Sequence, residues 1–97
     1  MKKELCIMPK DYMYEITRFN GSERHEIFFG NNRKKSIEDG LVVFITPEQH
    51  RGTYGVHGRE GHKFDMYLKK KGQLAWQKHY KKTTDDFIKR YGRNYLD

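Results

Sequence analysis

A single cysteine, two prolines and the lack of any long apolar run set the first limits on this chain of 97 residues. Cys6 has no second cysteine to pair with, which excludes an internal disulfide and any zinc site built from cysteines alone. That usage suits a reducing compartment. No stretch is long and apolar enough to read as a membrane span, and MKKELCIMPKDY shows no leader pattern. Both point to a cytoplasmic protein without a membrane partner. Asn20-Gly21-Ser22 fits a glycosylation sequon, a match without meaning in a protein that is not secreted.

What is abundant is positive charge. Twenty Lys and Arg stand against 13 Asp and Glu, for a net charge of +7. Such a balance favours a polyanionic partner, nucleic acid first, although many small basic proteins never meet DNA. Hydrophobic residues make up 35% and charged residues 34%, a polar mix, but aromatics at 14% supply enough bulk for a small core. The length accommodates one domain.

YMYEITRF, Tyr12–Phe19, is aromatic and β-branched and reads as a strand. Asn20-Gly21 then signals a hairpin, with Glu23–Phe28 as the returning strand. Gly30 to Gly40 reads as a loop, and LVVFI, Leu41–Ile45, as the clearest strand in the chain. Thr46 and Pro47 predict the cap and first turn of a short helix that carries His50 and Arg51 and ends at Gly52. Thr53–His62 is glycine-rich loop. The spacing of Phe64, Tyr67, Leu68, Ala75 and Trp76 predicts a helix over 63–80, with Gly72 as a potential interruption. Thr83 and Asp86 form a capping-box pattern for a last helix stopped by Gly92. The expected class is α+β: a single domain over 1–97, with a β-hairpin and ββα core over about 12–62 and a helical part over about 63–97.

The histidines are the chemically suggestive residues. His25 lies early on a strand, His50 in the first turn of a helix after the next strand, and His57 follows through a turn that can fold back. If the two strands pair antiparallel, all three approach one another. Neutral imidazoles so placed can hold a divalent ion with positions left for water and phosphate. A histidine in such a place is more often an ordinary hydrogen-bonded residue. Convergence of three by a topology read independently shifts that balance.

HEIFFGNNRKKS, GLVVFITPEQH and YGVHG together resemble the HNH endonuclease superfamily, particularly its small phage-borne members. The similarity covers about Ser22 to His62, and a looser match reaches GRNYL. The resemblance implies a ββα-metal fold and a metal-dependent DNA endonuclease that hydrolyses phosphodiester bonds, in phage DNA processing or recombination. Its setting would be the cytoplasm of a bacterial host. It implies one divalent ion (Mg²⁺, Mn²⁺, Ni²⁺ or Zn²⁺) held by His25, His50 and His57, with His62 as an alternative ligand. Glu26 falls where the family carries its histidine general base, so Glu26 or His25 would take the proton from the attacking water. Alternatively Glu26 is itself a ligand and His25 the base.

The departures from the family pattern are equally specific. Thr46 and Gln49 stand where many relatives carry half of a cysteine zinc site, and no upstream cysteine pair exists, so no structural zinc is expected. The family's middle asparagine has only Asn31 and Asn32 as candidates. Arg24, Arg33, Lys34, Lys35 and Arg51 are the expected phosphate contacts, and each also reads as an ordinary solvated cation. Trp76, Tyr80, Phe87 and Tyr91 interleave with lysines, yet their helical spacing predicts core packing rather than base stacking. Three roles therefore compete: a nuclease, alone or with a phage or host recombination or replication protein; an HNH-like module that binds nucleic acid without cutting it; and a basic surface for an acidic protein.

Overall fold

A computed structural model describes residues 5–96. Met1–Glu4 and Asp97 lie outside the described residues, and with them the start of the stretch read for a leader. Strand β1, Glu23–Glu26, pairs antiparallel with β2, Val42–Ile45, placing His25 opposite Val43. Between the strands come a 3₁₀ turn at Gly30–Asn32 and helix α1, Arg33–Glu38. Helix α2, Pro47–Arg51, follows β2, and α3, His62–Tyr80, and α4, Thr84–Tyr91, complete the chain. The class is α+β, as the sequence predicts.

Two expectations change. Asn20-Gly21 does turn the chain, with Gly21 at φ 84° and Ser22 N–H bonded to the Phe19 carbonyl. Yet Tyr12–Phe19 does not run as a strand beside the returning segment. It meets β2 at one antiparallel bridge, where Glu15 and Phe44 exchange backbone hydrogen bonds of 2.9 and 2.8 Å. Its strand propensity is local, whereas every residue of β2 is buried, so β2 is the better partner for both neighbours. The loop expected over 30–40 contains α1. Ser36 fixes that helix: its hydroxyl donates to the Leu41 carbonyl at 2.7 Å and accepts from Phe28 N–H at 3.2 Å, tying α1 to the segment that leaves β1 and the one that enters β2.

Thr46 and Gln49 make a reciprocal capping box at the start of α2. Gln49 also donates to the Met13 carbonyl at 2.8 Å, which fastens the 12–19 segment to α2. Local hydrogen bonding thus holds a junction that a metal could otherwise clamp.

Helix α3 runs unbroken through Gly72. A Cβ at that position would lie 3.1 Å from the Phe28 ring and 3.3 Å from Ile27, so the glycine is where the chain after β1 lies against the helix. Phe28 in turn packs on Phe87, Tyr91 and Tyr95. Helix α4 has the Thr83–Asp86 capping box, acidic residues in its first turn and basic ones in its last, each matching the helix dipole. Buried Asp39 joins the layers: it accepts from Trp76 Nε1, the Tyr91 hydroxyl and the Arg90 guanidinium. Trp76, Phe87 and Tyr91 of α3 and α4 are buried in the core, and Tyr80 packs against it. One apolar cluster takes in Ile27, Phe28 and Leu41, Val43 and Ile45 of β2, and these helices.

Candidate metal centre

β1 delivers His25, α2 delivers His50, and the tight turn after α2 delivers His57. That turn is folded by its own backbone: Val56 N–H bonds to the Gln49 carbonyl and His57 N–H to the His50 carbonyl, at 2.8 and 3.0 Å. Ring centroids lie 5.2 Å apart for His25–His50, 5.4 Å for His25–His57 and 4.9 Å for His50–His57. One nitrogen of each ring falls within 4.8 Å of the others. Among the described residues this is the only such grouping of metal-binding side chains. His62, the alternative ligand, heads α3 and is not a member; it faces a groove with Phe64 and Tyr67.

The chemistry of the three rings suits a cation. His25 is only 2% exposed, and its Nε2 is buried with no hydrogen-bond partner. Burial of that kind is costly unless something completes it. Burial first, and then the neighbouring charges of His50, His57 and Lys69, push the His25 pKa down to about 3, so the ring is neutral at physiological pH. His57 is shifted down as well, by burial, His50 and Lys69, with Asp65 opposing. His50 Nδ1 lies 2.9 Å from Glu23 Oε1. A carboxylate only accepts, so Nδ1 carries the proton and the Nε2 lone pair is free to ligate. Glu23 is held ionised by Arg51 and His50, which draw its pKa down to about 2.

Glu26 does not join the group. Neighbouring strand residues point to opposite faces, and with His25 inward Glu26 turns the other way. It accepts from Arg24 Nε and Arg33 Nε, both at 2.8 Å. Burial would raise its pKa, but the two guanidiniums more than offset that and hold it below the ordinary glutamate value. Glu26, expected as general base or ligand, is thus occupied by two ion pairs and stands apart from the three imidazoles.

The expected phosphate contacts divide. Arg24 and Arg33 bracket Glu26, and Arg51 grips Glu23. Lys35 donates from Nζ to the Arg90 carbonyl at the end of α4, a structural tether. Lys34 is exposed on α1. Asn31 is exposed, while Asn32 donates to the Tyr91 carbonyl at 3.0 Å.

The sequence reading missed Lys69 and Asp65. Lys69 reads as one of three lysines on a wet helix face, but its Nζ lies 4.3 Å from the centre of the Phe29 ring and 2.9 Å from Asp65 Oδ2. Phe29 itself abuts His25 and His57, with centroids 5.8 and 4.8 Å away. Asp65 Oδ1 is buried without a partner. The i, i+4 spacing of Asp65 and Lys69 is the one sequence signal for this pair. No protein-family profile, curated protein or solved structure matches the chain.

Proposed function

We propose that this protein is a metal-dependent DNA endonuclease of HNH type. The observation that carries the reading is the cluster of three imidazoles, one with a buried and unpartnered Nε2, on a strand, a helix and the turn after it. The three rings fit a borderline or nitrogen-preferring divalent cation, such as Zn²⁺ or Ni²⁺, with Mg²⁺ and Mn²⁺ less favoured by an all-imidazole donor set. A bound ion would supply Lewis-acid charge to the scissile phosphate and the departing 3′ oxygen. Glu23 fixes the ring orientation of His50, and Phe29 walls the cluster. Lys69, held by Asp65 beside His25 and His57, adds a positive charge for the phosphate. The resemblance to small phage-borne nucleases supports a role in phage DNA processing or recombination, with DNA as partner.

A second reading has one specific observation in its favour. Glu26, at the position of the general base, is engaged by two arginines, as befits an HNH-like module that binds DNA without cutting it. Nicking of supercoiled plasmid with Mg²⁺, Mn²⁺, Ni²⁺ or Zn²⁺ separates the two. Metal-dependent nicking that disappears in His50→Ala supports the nuclease. Metal binding and DNA binding without nicking support the module.

A further inference from the structure

An open groove of about 710 Å³ runs beside the start of α3. Its floor is Phe64 and Tyr67 on α3, and Tyr67 is fixed by a hydrogen bond from its hydroxyl to Asp11 Oδ2. Its rim holds Tyr12 and Tyr54, which are 89% and 76% exposed. Side chains that exposed contribute little to folding, and two tyrosines on one groove are free to meet whatever enters it. The charges on the groove are mainly cationic: Arg59 and Lys63 are exposed, and His62 stands beside them. Glu60 is the one acidic side chain on the lining, with an oxygen 4.0 Å from Arg59 Nε.

We infer that this aromatic and cationic groove binds unpaired nucleobases of single-stranded DNA. Flat rings flanked by cations are what such a strand requires: its bases offer free faces for stacking and its phosphates seek positive charge. In a duplex those faces are covered by neighbouring base pairs, so the groove discriminates by strandedness rather than by sequence. Glu60 provides an acceptor for an exocyclic amino group. Placement strengthens the case. Tyr54 and His57 belong to the same turn, which is closed by the bond from Glu60 N–H to the Thr53 carbonyl at 2.7 Å. On α3, Lys63, Phe64 and Tyr67 of the groove lie on one face and Asp65 and Lys69 of the histidine site on the opposite one. The turn that carries Tyr54 and His57 is thus the link between the groove and the histidine site.

This deepens the nuclease reading by naming its substrate as single-stranded or locally unpaired DNA, and its test needs no metal. Fluorescence anisotropy in EDTA would compare a labelled oligothymidylate of about 12 nucleotides, within the range of site sizes of such grooves, with a duplex of equal length. The whole chain is used, as wild type, Tyr54→Ala and Tyr54→Phe. Wild type is expected to bind the single strand more tightly than the duplex. Tyr54→Ala should weaken single-strand binding roughly tenfold, the scale of one lost stacking contact, and leave duplex binding unchanged. Tyr54→Phe, which keeps the ring, should bind as wild type. Equal affinity for both DNA forms, no binding, or no effect of Tyr54→Ala would overturn the inference. Cleavage is scored separately: a protein that cuts but shows no strand preference loses the groove and keeps the nuclease, and one with the preference but no cutting does the reverse.

Discussion

Glu23 and His50 are joined across the junction of β1 and α2 by a 2.9 Å hydrogen bond, and the same carboxylate holds Arg51. The bond fixes which imidazole nitrogen carries the proton, and so which lone pair is offered to a ligand. Removal of such an oriented carboxylate typically lowers metal affinity about 10- to 100-fold. Glu23→Ala should therefore bind Zn²⁺ or Ni²⁺ within that range of weakening by isothermal titration calorimetry, with the protein still folded. Affinity equal to wild type would mean that His50 needs no orienting partner.

His25 makes the opposite bargain, since its buried Nε2 is unsatisfied in the metal-free fold. Replacement of a buried polar group by an apolar one of similar size removes that desolvation cost. His25→Leu should leave the metal-free protein as stable as wild type or more stable by about 1–2 kcal/mol, several degrees in Tm for a domain of this size. Titration with metal should raise the Tm of wild type and leave that of His25→Leu unmoved. A strongly destabilised variant would show that the ring serves packing.

Which parts of this arrangement were legible in the sequence follows from how far each depends on distant partners. The approach of His25, His50 and His57 needs only that two strands pair antiparallel and a helix follow, and LVVFI with its Thr46-Pro47 helix start announces both. The pairing of Tyr12–Phe19 was misread because strand propensity says nothing about which edge of β2 a segment reaches. α1 was read as loop because Gly30-Asn31-Asn32 suggests a break, and the anchor that completes the helix, Ser36, acts on Leu41 and Phe28. Glu26 and Lys69 exchange their expected surroundings for a similar reason. The inward turn of His25 forces Glu26 toward Arg24 and Arg33, while α3 brings Lys69 against Phe29, far away along the chain.

The Asp11 carboxylate gives the fold an acid-sensitive link. Burial raises its pKa, but the Tyr67 hydroxyl and the Lys71 ammonium outweigh that and lower it overall. A carboxylate with a depressed pKa in the folded state contributes stability above its unfolded value, and that contribution is lost as pH falls through the folded one. Thermal melts of the metal-free protein on an acid titration from neutral pH should thus show Asp11→Asn less stable than wild type at the top of the range, with the two curves converging once the pH has fallen through the lowered folded-state pKa. A constant offset across the range would show that ionisation of Asp11 is irrelevant to folding.

Glu26 tests where a general base would come from. Its two arginine partners hold it ionised, and an ionised carboxylate with a lowered pKa has little drive to accept a proton from water. Loss of a true general base typically costs about 10²- to 10⁴-fold in rate. Glu26→Gln keeps the shape and an acceptor oxygen for one guanidinium, so it should bind metal as wild type does and retain nicking within about tenfold, well short of that loss. The measurement is single-turnover nicking of plasmid at saturating metal, alongside calorimetric metal titration of the same preparation. A loss beyond about a hundredfold with metal affinity intact would mean that Glu26 leaves Arg24 and Arg33 when DNA binds and takes the proton itself, restoring to it the role its sequence position suggests.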